Sequence, residues 1–280
     1  MSAVTTSRNP RSDQLATLRP TGDTAEPSRP PVRTAPALTV ILPCYNEAER
    51  LPGTLQALLA HLSAVPGEVE VLVVDDGSTD ATVSAAEAAA AVDRRVRVLS
   101  YCPNRGKGFA VRTGMLAARG ERVVFTDADG YYTPAEGERV ARALTGADVA
   151  IGARRGLDEP GGPVLRRLAS RVFNLAMRLV LGLPYPDTQC GLKGFRRGAA
   201  RQLFERARVD GFAFDAEALF LAGRLGLEVT EVPVRAEERD GSKVRLAADA
   251  LRMLRDMWGV RRAARAGLYD RREQVRDPTG

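Results

Sequence analysis

Residues 123–132, VVFTDADGYY, carry an apolar run straight into Asp127 and Asp129, with only Ala128 between them. Two carboxylates at i and i+2 repel one another unless a cation sits nearby. A hard divalent ion, Mg2+ or Mn2+, is the natural partner, because it takes one or two carboxylates and completes its shell with water and phosphate oxygens. The pair therefore points to a metal-bridged diphosphate. A lone D-x-D also occurs as an acidic turn capping the next helix, so the pair is weighed together with its companions.

Three other segments have the same character: PCYNEAE (43–49), DDGSTD (75–80) and NRGKG (104–108). In DDGSTD, Gly77 suits a tight turn, and Ser78, Thr79 and Asp80 suit a helix start. Asp75 and Asp76 are not needed for those roles and could accept hydrogen bonds from a base N–H or from ribose hydroxyls. NRGKG sets Arg105 and Lys107 among glycines, so that cations and backbone N–H groups can both approach an anion. No GxGxxG follows the first strand and no GxxxxGK[ST] is present, which excludes a dinucleotide fingerprint and a P-loop.

These segments need a scaffold, and the apolar patterning supplies one. LTVILPCYN (38–46), EVEVLVVDD (68–76), RVRVLSY (95–101), ERVVFTDAD (121–129) and ADVAIGAR (147–154) read as strands. Helical patterns separate the first four: AERLPGTLQALLAHL, TDATVSAAEAAAAV and GFAVRTGMLAAR. The alternation predicts an α/β fold with a parallel central sheet and helices on both faces. Beyond it, residues 162–183 read as a long amphipathic helix, GLKGFRR as a short strand and turn, FDAEALFLAGRLG as a helix, EVTEVPVRAEER as a strand and residues 244–265 as a basic amphipathic helix. All four polar segments then fall at carboxyl ends of strands, where open parallel sheets bind ligands.

Bulk properties set the remaining limits. The chain has 280 residues, 44% hydrophobic and 27% charged, with a net charge of +6. Residues 1–36, rich in Ser, Thr, Pro and Arg, read as a disordered leader without a secretory apolar core. The predicted organisation is a main domain over 37–245 and a basic helix and tail over 246–280. No segment has about 18 uninterrupted apolar residues, so no bilayer span is expected. Three widely spaced cysteines make neither a disulfide framework nor a zinc pattern and predict a reducing, cytoplasmic setting. The arginine-rich helices add peripheral contact with the inner face of the membrane to that expectation. Nucleic acid is excluded by the lack of an aromatic-interleaved basic patch. His61 is expected to face solvent, Trp258 to pack the closing helix, and Cys190 to be a small buried residue; oligomeric state is left open.

In order along the chain, VILPCYNE, VLVVDDGSTDAT, NRGKGFAVRTGM, FTDADG, DTQCGLKGF, FDAEALFLA and ERDGSKVR resemble glycosyltransferase family 2. The likeness is greatest to its dolichyl-phosphate β-glucosyltransferase and polyprenyl-phosphate sugar synthase branch. It implies a GT-A type, Rossmann-like nucleotide-sugar fold, a UDP or GDP sugar donor, Mg2+ or Mn2+, and transfer with inversion, with glucose from UDP-glucose as the expected case. By this likeness Pro43, Tyr45, Glu47 and Asp76 hold the nucleoside, and Asp127 and Asp129 the metal and diphosphate.

Charge bookkeeping adds the other candidates. Lys107, Arg239 and Lys243 could stabilise the departing diphosphate. A lipid-phosphate acceptor is already ionised near neutrality, since a phosphate monoester's second pKa is about 6. It would need cations rather than a base, and Arg166, Arg167, Arg171 and Arg178 could supply them. A hydroxyl acceptor would instead need a carboxylate base, for which Asp215 and Glu217 are the contenders and Asp187 the third. A nucleotide-binding regulator without turnover is the remaining reading.

Overall fold

The computed structural model describes residues 35–154, 175, 178–235 and 246–270. The chain opens with β1 (Leu38–Cys44), α1 (Leu51–Leu62), β2 (Val69–Asp76), α2 (Thr82–Val92), β3 (Val96–Tyr101), α3 (Lys107–Ala117) and β4 (Arg122–Thr126). Helix α4 (Pro134–Ala143), β5 (Val149–Arg154), β6 (Leu192–Arg196) and α5 (Arg197–Phe204) follow. Helix α6 (Phe214–Arg224), β7 (Val229–Val234) and α7 (Leu246–Arg265) complete the described elements.

The seven strands form one sheet in the order β3-β2-β1-β4-β6-β5-β7. Every neighbour pair is parallel except those made by β6, which is antiparallel to both β4 and β5. Strand β2 is buried along its whole length, as a strand covered on both faces must be. Alternate residues feed two cores. On one face Ile41, Leu72, Val74 and Phe125 meet α3, α5, α6 and α7; on the other Val40, Leu42, Val73 and Val124 meet α1, α2 and α4. Helix α3 lies close to the sheet because Gly114 has no side chain: a Cβ there would stand 2.6 Å from Ile41 Cγ2.

The chain steps outward from β1 through β2 to β3, then returns to β4 on the other side of β1. The strand order reverses between β1 and β4, so their carboxyl ends flank a crevice. Register sets Ile41 beside Phe125, which brings the segment after Thr126 level with the end of β1.

Several expectations need correction. Strand β4 ends at Thr126, so Asp127 and Asp129 stand in the turn beyond it and not within the strand run read over 121–129. Helices α4 and α5 were not anticipated: each turns only a few small or apolar residues inward, such as Val140 and Ala141 in α4. His61 is not simply solvent-facing, because its Nε2 is 2.8 Å from Glu138 Oε2 and ties α1 to α4. Trp258 does not pack inward; it is 56% exposed, while Met253, Met257 and Val260 supply the buried face of α7. Most of the helix expected over 162–183, and nearly all of the expected leader, lie outside the described residues.

Candidate active site

The four strand-end loops are fastened to one another. After β1, the amides of Asn46 and Glu47 donate to Ser78 Oγ (2.9 Å) and Thr82 Oγ1 (2.8 Å), and Asn46 Oδ1 accepts from the Thr79 amide at 2.8 Å. Asn46 has φ of 54°, a left-handed conformation that asparagine tolerates better than most residues. The loop after β2 rests on the loop after β3: at Gly77, with φ of +69°, a Cβ would stand 2.6 Å from the Asn104 amide nitrogen. That loop rests in turn on residues 209–211. Side chains at Gly106 and Gly108 would collide with the Asp210 and Val209 carbonyls, each at 2.5 Å. The glycines of NRGKG are thus required by close backbone approach.

Buried carboxylates hold this frame. Asp76 accepts from Asn104 Nδ2 and from the amides of Arg105 and Gly106, all at 2.8 Å. Asp75 accepts from Ser100 Oγ at 3.0 Å and from the Ser78 amide. Asp76 thereby shapes the NRGKG loop, and a nucleoside would share the carboxylate with these three protein donors. Glu217, a contender for the base, is turned elsewhere. It accepts from the Arg208 and Val209 amides, both at 2.9 Å, and from the Tyr269 hydroxyl at 2.6 Å, pinning the 209–211 loop from behind. Asp187 is likewise committed: Arg154 grips it with two parallel bonds of 2.8 and 2.9 Å. Burial pushes the Asp187 carboxyl up, but Arg154 outweighs it and holds the group below the ordinary carboxylate value.

The centre is a cluster of charges. Lys107 Nζ is 2.5 Å from Asp127 Oδ1. Behind Asp127 lies Gly191, where any side chain would strike the carboxylate. Asp129 accepts the Tyr131 amide at 3.0 Å. Burial first, then the charge of Asp127, push the Asp129 carboxyl above its ordinary value. Asp215 is 2.7 Å from Lys193 Nζ, and Lys193, at 0% exposure, also donates to the Cys190 carbonyl at 2.5 Å. Burial raises the Asp215 carboxyl, opposed by Lys193 and Lys107. Burial also works against the charge on Lys107, but Asp127, Asp215 and Asp129 together hold its ammonium above the ordinary value.

The structure therefore brings together Asp127, Asp129, Lys107 and Asp215, with Pro43 next to last in β1 and a 43% exposed Tyr45 just beyond the strand. Glu47 bonds to Arg50 at the start of α1. Arg171, Arg239 and Lys243 lie outside the described residues, as do Arg166 and Arg167. Sequence reasoning missed Lys193 and Arg154. The signal for Lys193 was a lysine inside the apolar run GLKGF, a position that demands an acid partner.

Two neighbouring carboxylates at a strand end suit a divalent ion. Among the described residues no group of three or more His, Cys, Asp or Glu side chains is arranged to hold a metal by itself. Two carboxylates with phosphate oxygens are the fitting donor set. Thr126 Oγ1, just before Asp127, and Thr188 Oγ1 and Gln189 Nε2, just before Gly191, are buried without a hydrogen-bond partner, a state that bound polar molecules normally relieve.

The Glycosyl transferase family 2 profile matches residues 39–204. A dolichyl-phosphate beta-glucosyltransferase of Drosophila melanogaster is 40% identical over 240 residues, covering 80% of this chain and 74% of the relative. The Homo sapiens protein of that name is 32% identical, covering 85% and 79%. Among solved structures, glucosyl-3-phosphoglycerate synthase from Mycobacterium tuberculosis aligns with a TM-score of 0.62 at 24% identity, covering 80% of each chain. Mannosyl-3-phosphoglycerate synthase from Rubrobacter xylanophilus gives 0.63 at 22%, covering 87% and 78%. These two share the mostly parallel GT-A fold, and the sequence relatives fix the activity class: the chain is a sugar-transferring enzyme and belongs to glycosyltransferase family 2.

Proposed function

We propose that this enzyme transfers glucose from UDP-glucose to a polyprenyl or dolichyl phosphate with inversion, using Mg2+ or Mn2+ held by Asp127 and Asp129. One observation carries the choice of acceptor. The three carboxylates considered as bases are each engaged by protein: Asp215 by Lys193, Glu217 by two amides and a tyrosine, Asp187 by Arg154. A hydroxyl acceptor would need one of them released, whereas a phosphate monoester arrives ionised. The names of the sequence relatives agree with this reading. A solved M. tuberculosis synthase of the same fold was crystallised with Mn2+ and UDP, which supports the donor and metal.

When bound, the metal would supply positive charge beside the diphosphate as the sugar leaves. Pro43, Tyr45 and Glu47 line the nucleoside end in this reading, with Asp75 and Asp76 holding the loops around it. Lys107 supplies a cation for the diphosphate, joined by Arg239 and Lys243. Arg171 and Arg178 hold the acceptor phosphate. The decisive assay incubates the protein with UDP-glucose, Mn2+ and a polyprenyl phosphate and weighs the lipid. The expected product is heavier by one hexose and carries the β anomer. No glycolipid with any common nucleotide sugar would reject the lipid acceptor and favour a soluble one.

For the membrane, we propose surface contact through α7. Arg252, Arg255, Arg262 and Arg265 share its exposed side with Trp258, opposite buried Met253, Met257 and Val260. Basic residues over an anionic bilayer contribute about 1 kcal/mol each, and tryptophan favours the interface. Among the described residues no helix is long and apolar enough to cross a membrane. Changing Arg255 and Arg262 to Glu is expected to weaken sedimentation with anionic vesicles by roughly tenfold or more, leaving neutral vesicles unaffected. Equal sedimentation of variant and parent would rule this face out.

A further inference from the structure

Lys107 occupies an electrostatically unusual place. It is the first residue of α3, a helix with no acidic residue in its first turn. A helix N-terminus carries partial positive charge, so it disfavours an ammonium and favours an anion. The lysine is nonetheless held there, its Nζ 2.5 Å from Asp127 Oδ1. Its backbone has little room to move, because Gly106 and Gly108 on either side press on the Asp210 and Val209 carbonyls. The flexible stem of the side chain is what can swing.

The charges around it give this contact a consequence. Asp127, Asp215 and Asp129 all act on Lys107, and its ammonium is in contact with Asp127. A divalent ion entering alone would be repelled by the ammonium already seated on Asp127. An anionic diphosphate entering with the metal offsets that repulsion. The diphosphate also offers the ammonium a new partner at the positive end of α3.

We infer that Lys107 couples metal binding to donor binding: its ammonium stands on Asp127 in the metal's stead until a diphosphate draws it away. Metal and donor therefore bind cooperatively, and metal alone binds poorly. This rests on the metal and donor reading given above. Linkage makes the effect reciprocal, so UDP must tighten Mn2+ binding by the factor by which Mn2+ tightens UDP binding.

The test measures Mn2+ affinity by titration calorimetry or by the EPR signal of the free ion, with and without UDP, in the parent enzyme and in Lys107→Met. In the parent, UDP is expected to tighten Mn2+ binding by about tenfold or more, within the usual span of coupling between sites. Lys107→Met is expected to bind Mn2+ alone about tenfold more tightly than the parent and to bind UDP alone more weakly, with an enhancement by UDP smaller than the parent's but not lost, because the phosphate oxygens still reach the metal. Lys107→Arg should keep the parent's coupling. A purely structural role predicts the opposite sign, since a disturbed site binds metal less well; Mn2+ binding by Lys107→Met that is no tighter than the parent's overturns the inference. Lys107→Gln repeats the measurement should the methionine variant melt early. If the parent binds no Mn2+ even with UDP present, the metal and donor reading fails first, and the coupling falls with it.

Discussion

Asp129→Asn is expected to reduce transfer from UDP-glucose by about a thousandfold or more in kcat/KM while leaving the fold intact. Stabilising charge on a leaving diphosphate is worth several kcal/mol, and removal of one preorganised stabilising group costs two to three powers of ten elsewhere. Loss of a metal ligand should cost at least as much. The fold survives because the asparagine oxygen can still accept the Tyr131 amide that Asp129 holds. The native carboxylate is itself unfavourable, pushed up by burial and by the charge of Asp127. Its removal should leave the melting temperature without metal unchanged or slightly higher. The rise in melting temperature on adding Mn2+ and UDP, which reports binding to the native form, should disappear. A variant that still makes product at the parent's rate would remove Asp129 from the metal site.

Lys193→Met is expected to cost about 3–5 kcal/mol of stability, the usual penalty for leaving one member of a buried ion pair without its partner. Lys193 has 0% exposure and Asp215 only 4%, so water cannot take the place of the lost ammonium. Denaturant unfolding reads the effect directly, and for a domain of this size melting should fall by roughly 10 °C. Adding Asp215→Asn should recover much of the stability, because both charges are then gone. Activity is not expected to return, since Asp215 also stands in the field of Lys107 and Asp127. A single variant within about 1 kcal/mol of the parent would show that Asp215 has another compensating partner.

The four strand-end segments could be read directly because each couples a hydrophobic run to residues that buried strands do not tolerate. The apolar pattern placed β1 to β4 correctly, and the polar residues marked where each stops. What could not be read depends on partners distant in the chain. Nothing in GLKGF states a direction, so the antiparallel course of β6 became visible only once β4 and β5 flanked it. The loop-holding part of Asp76 was invisible because its donors come from Asn104, Arg105 and Gly106, a whole helix and strand away. Glu217 and Asp187 looked like bases for the same reason, with Tyr269 and Arg154 equally remote. Trp258 was misjudged through helix geometry: it follows Met257 by one position, a turn of about 100°, and that carries it out of the buried stripe onto the arginine side.

The reversed strand also governs the order in which the molecule can be assembled. A ribosome delivers the chain from its amino end, and β1, β2 and β3 find their neighbours in sequence through short crossings. Thr126 must wait for Leu192, and Asp127 for the glycine that backs it, until everything between has been synthesised and looped out. Closing so long a loop is slow compared with the local pairings before it. The nascent enzyme therefore acquires its nucleotide-side loops well before its reactive corner, and a prematurely ended chain lacks Gly191 behind the acid pair and Lys193 beside Asp215.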